Sequence, residues 1–152
     1  IEGTLLSEGR GTTRPFEVFG APWVDGEALA RALEGKLPGA TLRPLSFLPT
    51  FQKHAKQLCG GVQLHVTDRG VFRSYEAYLR ILHELLTRHP DAPRYRTEEY
   101  EYVVDRPAID LLTGGPEFRE AVDAGQEIEA WLLHEGAGAA AFGAARKPFL
   151  LY

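Results

Sequence analysis

Apolar and polar positions alternate most cleanly at 62–66, "VQLHV", where Val62, Leu64 and Val66 share one side and Gln63 and His65 the other. A period of two predicts a strand. The period lengthens to three and four over 71–88, where Phe72, Tyr75, Leu79, Leu82 and Leu86 recur, and Pro90 follows. That spacing predicts an amphipathic helix stopped by the proline. Leu29, Leu33 and Leu37 predict a second helix over 26–37, opened after Gly20, Pro22 and Asp25 and closed by Pro38–Gly39. The apolar run 42–48 is bounded by prolines and reads as a strand, at a sheet edge because of Pro44. Short strands are predicted at 16–19 and, from aromatic and β-branched residues, at 100–104.

Beyond 107 the pattern is helical in short pieces. Pro107 and Pro116 suit first helical positions, while Gly114–Gly115, Gly125 and Gly136 suit helix ends. The last residues, in "GAARKPFLLY", are apolar and are expected to dock on the domain body. Residues 1–15 and 51–61 are polar and broken by glycine, so both read as loops. Interspersed helices and strands give an α/β (α+β) fold: a single compact domain with a mixed sheet of about four strands covered by helices.

Composition narrows the function classes. At 152 residues the chain can bury one core. Its 44% apolar and 25% charged content argues against disorder. No apolar run approaches the roughly 18 residues of a membrane span. A net charge of −4 argues against a nucleic-acid surface. The lone Cys59 excludes an intrachain disulfide and leaves the compartment open. The chain starts at Ile1 and holds no methionine, so it reads as a piece of something longer, and the lack of a leader says nothing about export.

The candidate chemistry gathers in the polar loops. Between Glu2 and Arg14 lie three glycines, four hydroxyl residues, two carboxylates and two arginines. Glycine lets a backbone turn tightly and approach a ligand. Glu8, partly desolvated, would act as a general acid, and Arg10 offers a planar fork of donors for a carboxylate or sugar oxygens. The bland alternative is a solvated loop with a surface ion pair. A phosphate loop is excluded, since no Lys follows Gly11 and the stretch precedes a strand. Gln63 and His65, on one strand face, either hydrogen-bond a ligand or meet solvent or a covering helix. His54, Cys59 and His65 are too loosely spaced for a zinc site, and Cys59 reads as packed under its loop. Asp105 is placed to cap a helix, while Asp110 either enters a cleft or faces water. Phe16, Phe19, Trp23, Phe47 and Phe51 read mostly as core, with one or two left as rim platforms for sugar.

Four stretches, "EGTLLSEGRGTTRPFEVFGAPW", "FLPTFQKHAKQLCGGVQLHVTD", "DLLTG" and "RKPFLLY", resemble in order the C-terminal part of the NamZ/YbbC-like family of bacterial exo-acting β-N-acetylmuramidases. The likeness covers the whole chain. It implies a smaller C-terminal α/β domain, with an N-terminal Rossmann-like domain of the same protein outside this chain and a cleft between the two. It implies a peptidoglycan-derived substrate, release of terminal N-acetylmuramic acid in cell-wall recycling, and an exported or periplasmic setting. Neither cofactor nor metal is implied. Carried across, Glu2, Glu8, Arg10 and Thr13 would line the cleft, joined by Gln63 and His65.

The mechanism expected on that basis uses two carboxylates around the scissile bond. Glu8 is one, and Glu2 or a group of the other domain is the second. Arg10 would hold the lactyl carboxylate of muramic acid, and would have to stand off Glu8 for that acid to donate a proton. The rival reading is a non-catalytic module that binds muropeptides or another acidic glycan. A weaker one is a plain interaction domain whose polar loops face a partner.

Overall fold

The computed structural model describes residues 1–151, so Tyr152, the end of the apolar tail, lies outside the described residues. Three strands, β1 (Val18–Ala21), β2 (Ala40–Phe47) and β3 (Cys59–Val66), form one sheet in the order β1-β3-β2. Both pairings are antiparallel, with Val18 opposite Gln63 and Arg43 opposite Gln63. The sheet is therefore antiparallel and three-stranded, where the sequence suggested a mixed sheet of about four. The missing strand is 100–104. There, Glu101 and Tyr102 take left-handed backbone angles (φ 50° and 64°), and Tyr100 and Val103 exchange N–H···O bonds of 3.1 and 2.9 Å. Strand-favouring residue types are spent on a two-residue turn, and Tyr102 within it and Val104 just after it face water.

The sheet has two different faces. Phe19, Ala21, Val62 and Leu64 are buried against the helices α1 (Gly26–Ala32) and α2 (Ser74–Arg88), chiefly through Leu29, Leu33, Ile81, Leu82 and Leu85. The helices α3 (Ala108–Thr113), α4 (Glu117–Asp123) and α5 (Ile128–Ala145) extend this core with Ile109, Phe118, Val122 and Ile128. On the opposite face Val18, Phe47 and Cys59 make a small cluster under the 48–58 loop. Cys59 is fully buried and burial pushes its thiol pKa up, so it packs as a small hydrophobe.

Several local signals were physically sound. Asp25 caps α1, its carboxylate accepting the Ala28 N–H at 3.0 Å. The α1 helix stops at Ala32 instead of 37, because the chain unwinds through left-handed Gly35, yet Leu33 and Leu37 remain buried as their spacing required. Gly114 ends α3 in the left-handed region. Others were overridden. Pro107 and Pro116 sit at the caps of α3 and α4, one position before their first helical residues. Gly136 lies inside α5, whose alanines carry the helix through three glycines. Beyond Leu132 most of α5 is exposed, with Leu133 77% and Phe142 67% exposed. The tail does not dock either, with Phe149 83% and Leu151 96% exposed. Of the aromatic set, Phe19 and Phe47 are core, Trp23 is half-buried, and Phe16 and Phe51 are exposed.

Pro44 faces Val62 on the outer strand β2. Leu64 donates its N–H to the Glu17 carbonyl on the β1 side (2.9 Å), so even-numbered β3 residues bond towards β1 and odd-numbered ones towards β2. Pro44 therefore turns its nitrogen away from the sheet.

Backbone packs on backbone where β1, β3 and the start of α1 meet. A Cβ on Gly61 would run into the Phe19 carbonyl, one on Gly60 into the Val24 carbonyl, and one on Gly26 into the Gly61 carbonyl. Gly61→Ala is expected to cost at least about 1–3 kcal/mol, the usual range for overpacking. Gly136→Ala, where nothing stands within 4 Å, is expected to stabilise by about 0.5–1 kcal/mol through helix propensity. Urea denaturation of both variants checks the contrast.

Candidate functional site

The glycine- and hydroxyl-rich segment is folded onto the domain by its own polar groups. Thr4, fully buried, donates its hydroxyl to the Ile1 carbonyl at 2.7 Å and accepts the Leu6 N–H at 3.2 Å. Ser7 Oγ accepts the Gly9 N–H, and Thr12 Oγ1 donates to the Gly9 carbonyl at 2.6 Å. Such local side-chain bonds replace the ladders of regular structure. Gly9 is left-handed (φ 70°) and sits where a Cβ would meet the Val18 carbonyl. Longer ties fix the segment in place. Ser7 exchanges two backbone bonds with Gly20 on the free edge of β1, Leu5 donates to the Arg94 carbonyl, and Arg96 donates to the Gly3 carbonyl. A polar stretch precedes β1 because it is itself a structural strap.

The strap buries a carboxylate. Glu8 is 3% exposed, and both of its oxygens are taken. Oε1 accepts from Arg10 Nε at 2.8 Å and Oε2 from Lys53 Nζ at 3.0 Å. Arg10 Nη2 also pairs with the Glu2 carboxylate, and Lys53 donates to the Glu2 carbonyl at 3.1 Å. Tyr100 donates its hydroxyl to Glu2 Oε2 at 3.4 Å. Two rings back the cations: Arg10 lies 5.2 Å over Phe16 and Arg96 5.2 Å over Tyr100. The Lys53 loop is pinned by His54, whose Nε2–H donates to the Leu5 carbonyl at 2.8 Å, and by the edge contact of Trp23 with His54. In that loop Gln52, His54 and Lys56 all adopt left-handed angles (φ 57–63°). Strain of this kind persists where surrounding contacts over-determine it.

Burial alone would push the Glu8 carboxyl pKa up, but the Arg10 hydrogen bond and the Lys53 charge outweigh it and hold the pKa below its ordinary value. Burial lowers the Lys53 ammonium pKa, against the opposing pull of Glu8. Burial, followed by the Glu2 charge, raises the Tyr100 phenol. The arrangement presents an ionised carboxylate clamped between two cations, with a second carboxylate, Glu2, a third exposed beside it. Arg10 does not stand off Glu8, as a proton-donating Glu8 required: a carboxylate this buried needs a cation in contact.

Glu2, Glu8 and Arg10 thus come together. Gln63 and His65 do not join them. They line a separate depression of about 560 Å³ with Arg14, Glu17, Arg69 and Phe72. Thr13 is exposed and lines neither. Lys53, Tyr100 and Arg96 were not singled out in the sequence. Lys53 belonged to a loop recognised as polar, but nothing in its spacing ties it to an acid 45 residues earlier. Asp105 does not cap α3; it pairs with exposed Arg106, and Pro107 takes the cap. Asp110 is 6% exposed and accepts two 2.8 Å bonds from Arg119, clamping α3 to α4. Among the described residues, no group of three or more His, Cys, Asp or Glu is placed to hold a metal ion, and no helix is long and apolar enough to cross a membrane.

A carboxyl with a lowered folded-state pKa stabilises above its unfolded value, about 4.3 for Glu, and that stability is lost as pH falls through the folded value. Thermal melts are expected to fall steeply below about pH 4. Glu8→Gln is expected to melt lower at pH 7 and to show a flatter acid limb. Lys53→Ala, which leaves the carboxylate one cation short, is expected to lose about 1–3 kcal/mol.

The whole chain, residues 1–152, matches the family described as "Exo-beta-N-acetylmuramidase NamZ, C-terminal". It is 37% identical over 153 residues to the peptidoglycan β-N-acetylmuramidase NamZ of Bacillus subtilis (strain 168), covering 100% of this chain. The chain spans 35% of that relative's length. Two crystal structures of DUF1343 family proteins from Bacteroides fragilis share the fold at a TM-score of 0.65. One is 29% identical over 82% of this chain and 32% of its own; the other is 23% identical over 99% and 37%. A match that runs from residue 1 to residue 152 makes this chain, with its strap-bound acid and arginine, a member of the NamZ C-terminal domain family.

Proposed function

We propose that this chain is the smaller, cleft-forming part of a glycoside hydrolase that releases terminal N-acetylmuramic acid from peptidoglycan fragments. The observation that carries the reading is the Glu8 carboxylate, buried, ionised and clamped by Arg10 and Lys53 beside a second carboxylate, in a member of this family. Glycoside hydrolysis develops positive charge on the sugar ring, and a carboxylate held ionised is suited to stabilise that charge, to activate a water or to attack the anomeric carbon. Donating a proton to the leaving oxygen suits a carboxyl with a higher pKa. Glu2 or an acid of the N-terminal Rossmann-like domain takes that part. Arg10 and Lys53 act as positioning residues that set the charge and direction of Glu8, and the larger domain closes over the strap and excludes water.

A binding module is the second reading, favoured by one fact: both Glu8 oxygens already have partners. In that case the acidic glycan is recognised here while the chemistry happens elsewhere. Glu8→Gln in the full-length protein separates the two. Catalysis predicts a loss of about 10²–10⁴-fold in kcat on a β-muramic glycoside with substrate binding retained. Recognition predicts that binding and turnover fall together. Near-normal turnover removes Glu8 from the mechanism. The 152 residues alone are expected to show little or no turnover on the same glycoside, since half a cleft positions little; robust hydrolysis by them would show that the larger domain is dispensable.

A further inference from the structure

If muramic acid is the substrate, its lactyl carboxylate needs a cation. Arg10 is poorly placed to supply it. Its Nε is bonded to Glu8 and its Nη2 to Glu2, so two of its three nitrogens already serve carboxylates of the chain. A further carboxylate there would be the third acid on one guanidinium.

The neighbouring depression has what the cluster lacks. It is bounded by the same strap, since Arg14 follows Arg10 by four residues and lines its wall. Its volume, about 560 Å³, falls within the range typical of small-ligand sites. Two of its lining residues, Arg69 and Gln63, keep donors unspent. His65 lines the space too, although its Nε2, without a partner among the described residues, is buried and offers no surface to it. Gln63 has its oxygen fixed by Arg43 Nη2 at 2.7 Å, which orients the amide and leaves its N–H₂ group available. Arg69 forms no ion pair or hydrogen bond among the described residues and stands exposed at the rim. One acid lines the space, Glu17, and its charge is met by Arg14 at 3.3 Å. Asp68, beside Arg69 in the chain, has one carboxylate oxygen engaged by the Gly70 N–H at 2.8 Å. Two arginines against one glutamate leave a net positive lining, and Phe72 and Val66 supply an apolar side.

We propose that this depression is an acid-reading subsite, in which Arg69, supported by the Arg14 charge and the N–H₂ group of Gln63, binds the lactyl carboxylate of an N-acetylmuramic residue. The inference rests on the hydrolase reading for the identity of the ligand, and on the cavity for its place. The apolar side receives the lactyl methyl. Two jobs are thereby divided: Arg10 serves the reacting acid and Arg69 reads the substrate.

The test compares N-acetylmuramic acid, its lactyl methyl ester and N-acetylglucosamine, both as free sugars for binding and as β-glycosides for turnover, on the full-length protein. Wild type is expected to favour the free acid over the ester by about tenfold or more in Kd and in kcat/KM, mostly through KM. Arg69→Gln should erase that preference and leave the ester unaffected, Arg69→Lys should restore part of it, and Gln63→Ala should weaken it. Arg69 is exposed, so its variants should fold, which matching melting curves verify. If Arg69→Gln keeps the wild-type preference, or if wild type shows none, the subsite is wrong while any hydrolysis seen keeps the hydrolase reading alive. If wild type prefers the acid in binding, Arg69→Gln abolishes that, and no glycoside is cleaved, the subsite stands and the hydrolase reading falls.

Discussion

The Glu8 carboxylate cannot be buried without partners, and that requirement organises one whole side of this domain. An unpaired ion at such depth would neutralise or unfold the segment. Arg10 comes from the same strap and Lys53 from a loop 45 residues on, so pairing Glu8 joins two irregular segments that no regular ladder holds. In the loop that supplies Lys53, Gln52, His54 and Lys56 sit in the left-handed region. Removing an acid of this kind therefore releases a loop as well as a charge.

The same pairing shapes the chemistry. Opposed effects act on Glu8, burial raising its pKa and two cations lowering it, and the cations prevail. Had burial prevailed, the residue would have suited proton donation. A single geometric fact, contact in place of distance between Arg10 and Glu8, moves the residue from one role in glycoside hydrolysis to another. It also occupies the guanidinium that a substrate carboxylate would otherwise use.

Fold and site were unequally legible in the sequence. Periodicity located β3, α1 and α2 because each has one buried face, and burial writes a repeat into the chain. It failed at 100–104 because residue preference for strands cannot register a left-handed turn at Glu101 and Tyr102. It failed at Gly136 because one glycine, with open space around it, does not end a helix that alanine sustains. Within the site, the strap announced Glu2, Glu8 and Arg10 by sheer polarity in a short span. Lys53 carried no such mark, since its meeting with Glu8 is made by tertiary folding. Gln63 and His65 were correctly placed on one face of β3, but the alternation of a strand does not say which hollow that face borders.

Pro44 bears on how the molecule behaves in company. An outermost strand of eight residues would ordinarily offer its unpaired amides as a template for another chain. Here the nitrogen that points outward at mid-strand carries no hydrogen, and Arg43, its neighbour, adds a charge that a stacked copy would have to repeat beside itself. A guest strand would lose a hydrogen bond and meet repulsion at the same point. Self-association by sheet extension, the usual hazard of a small open sheet, is thereby discouraged by two adjacent residues on the side away from the strap.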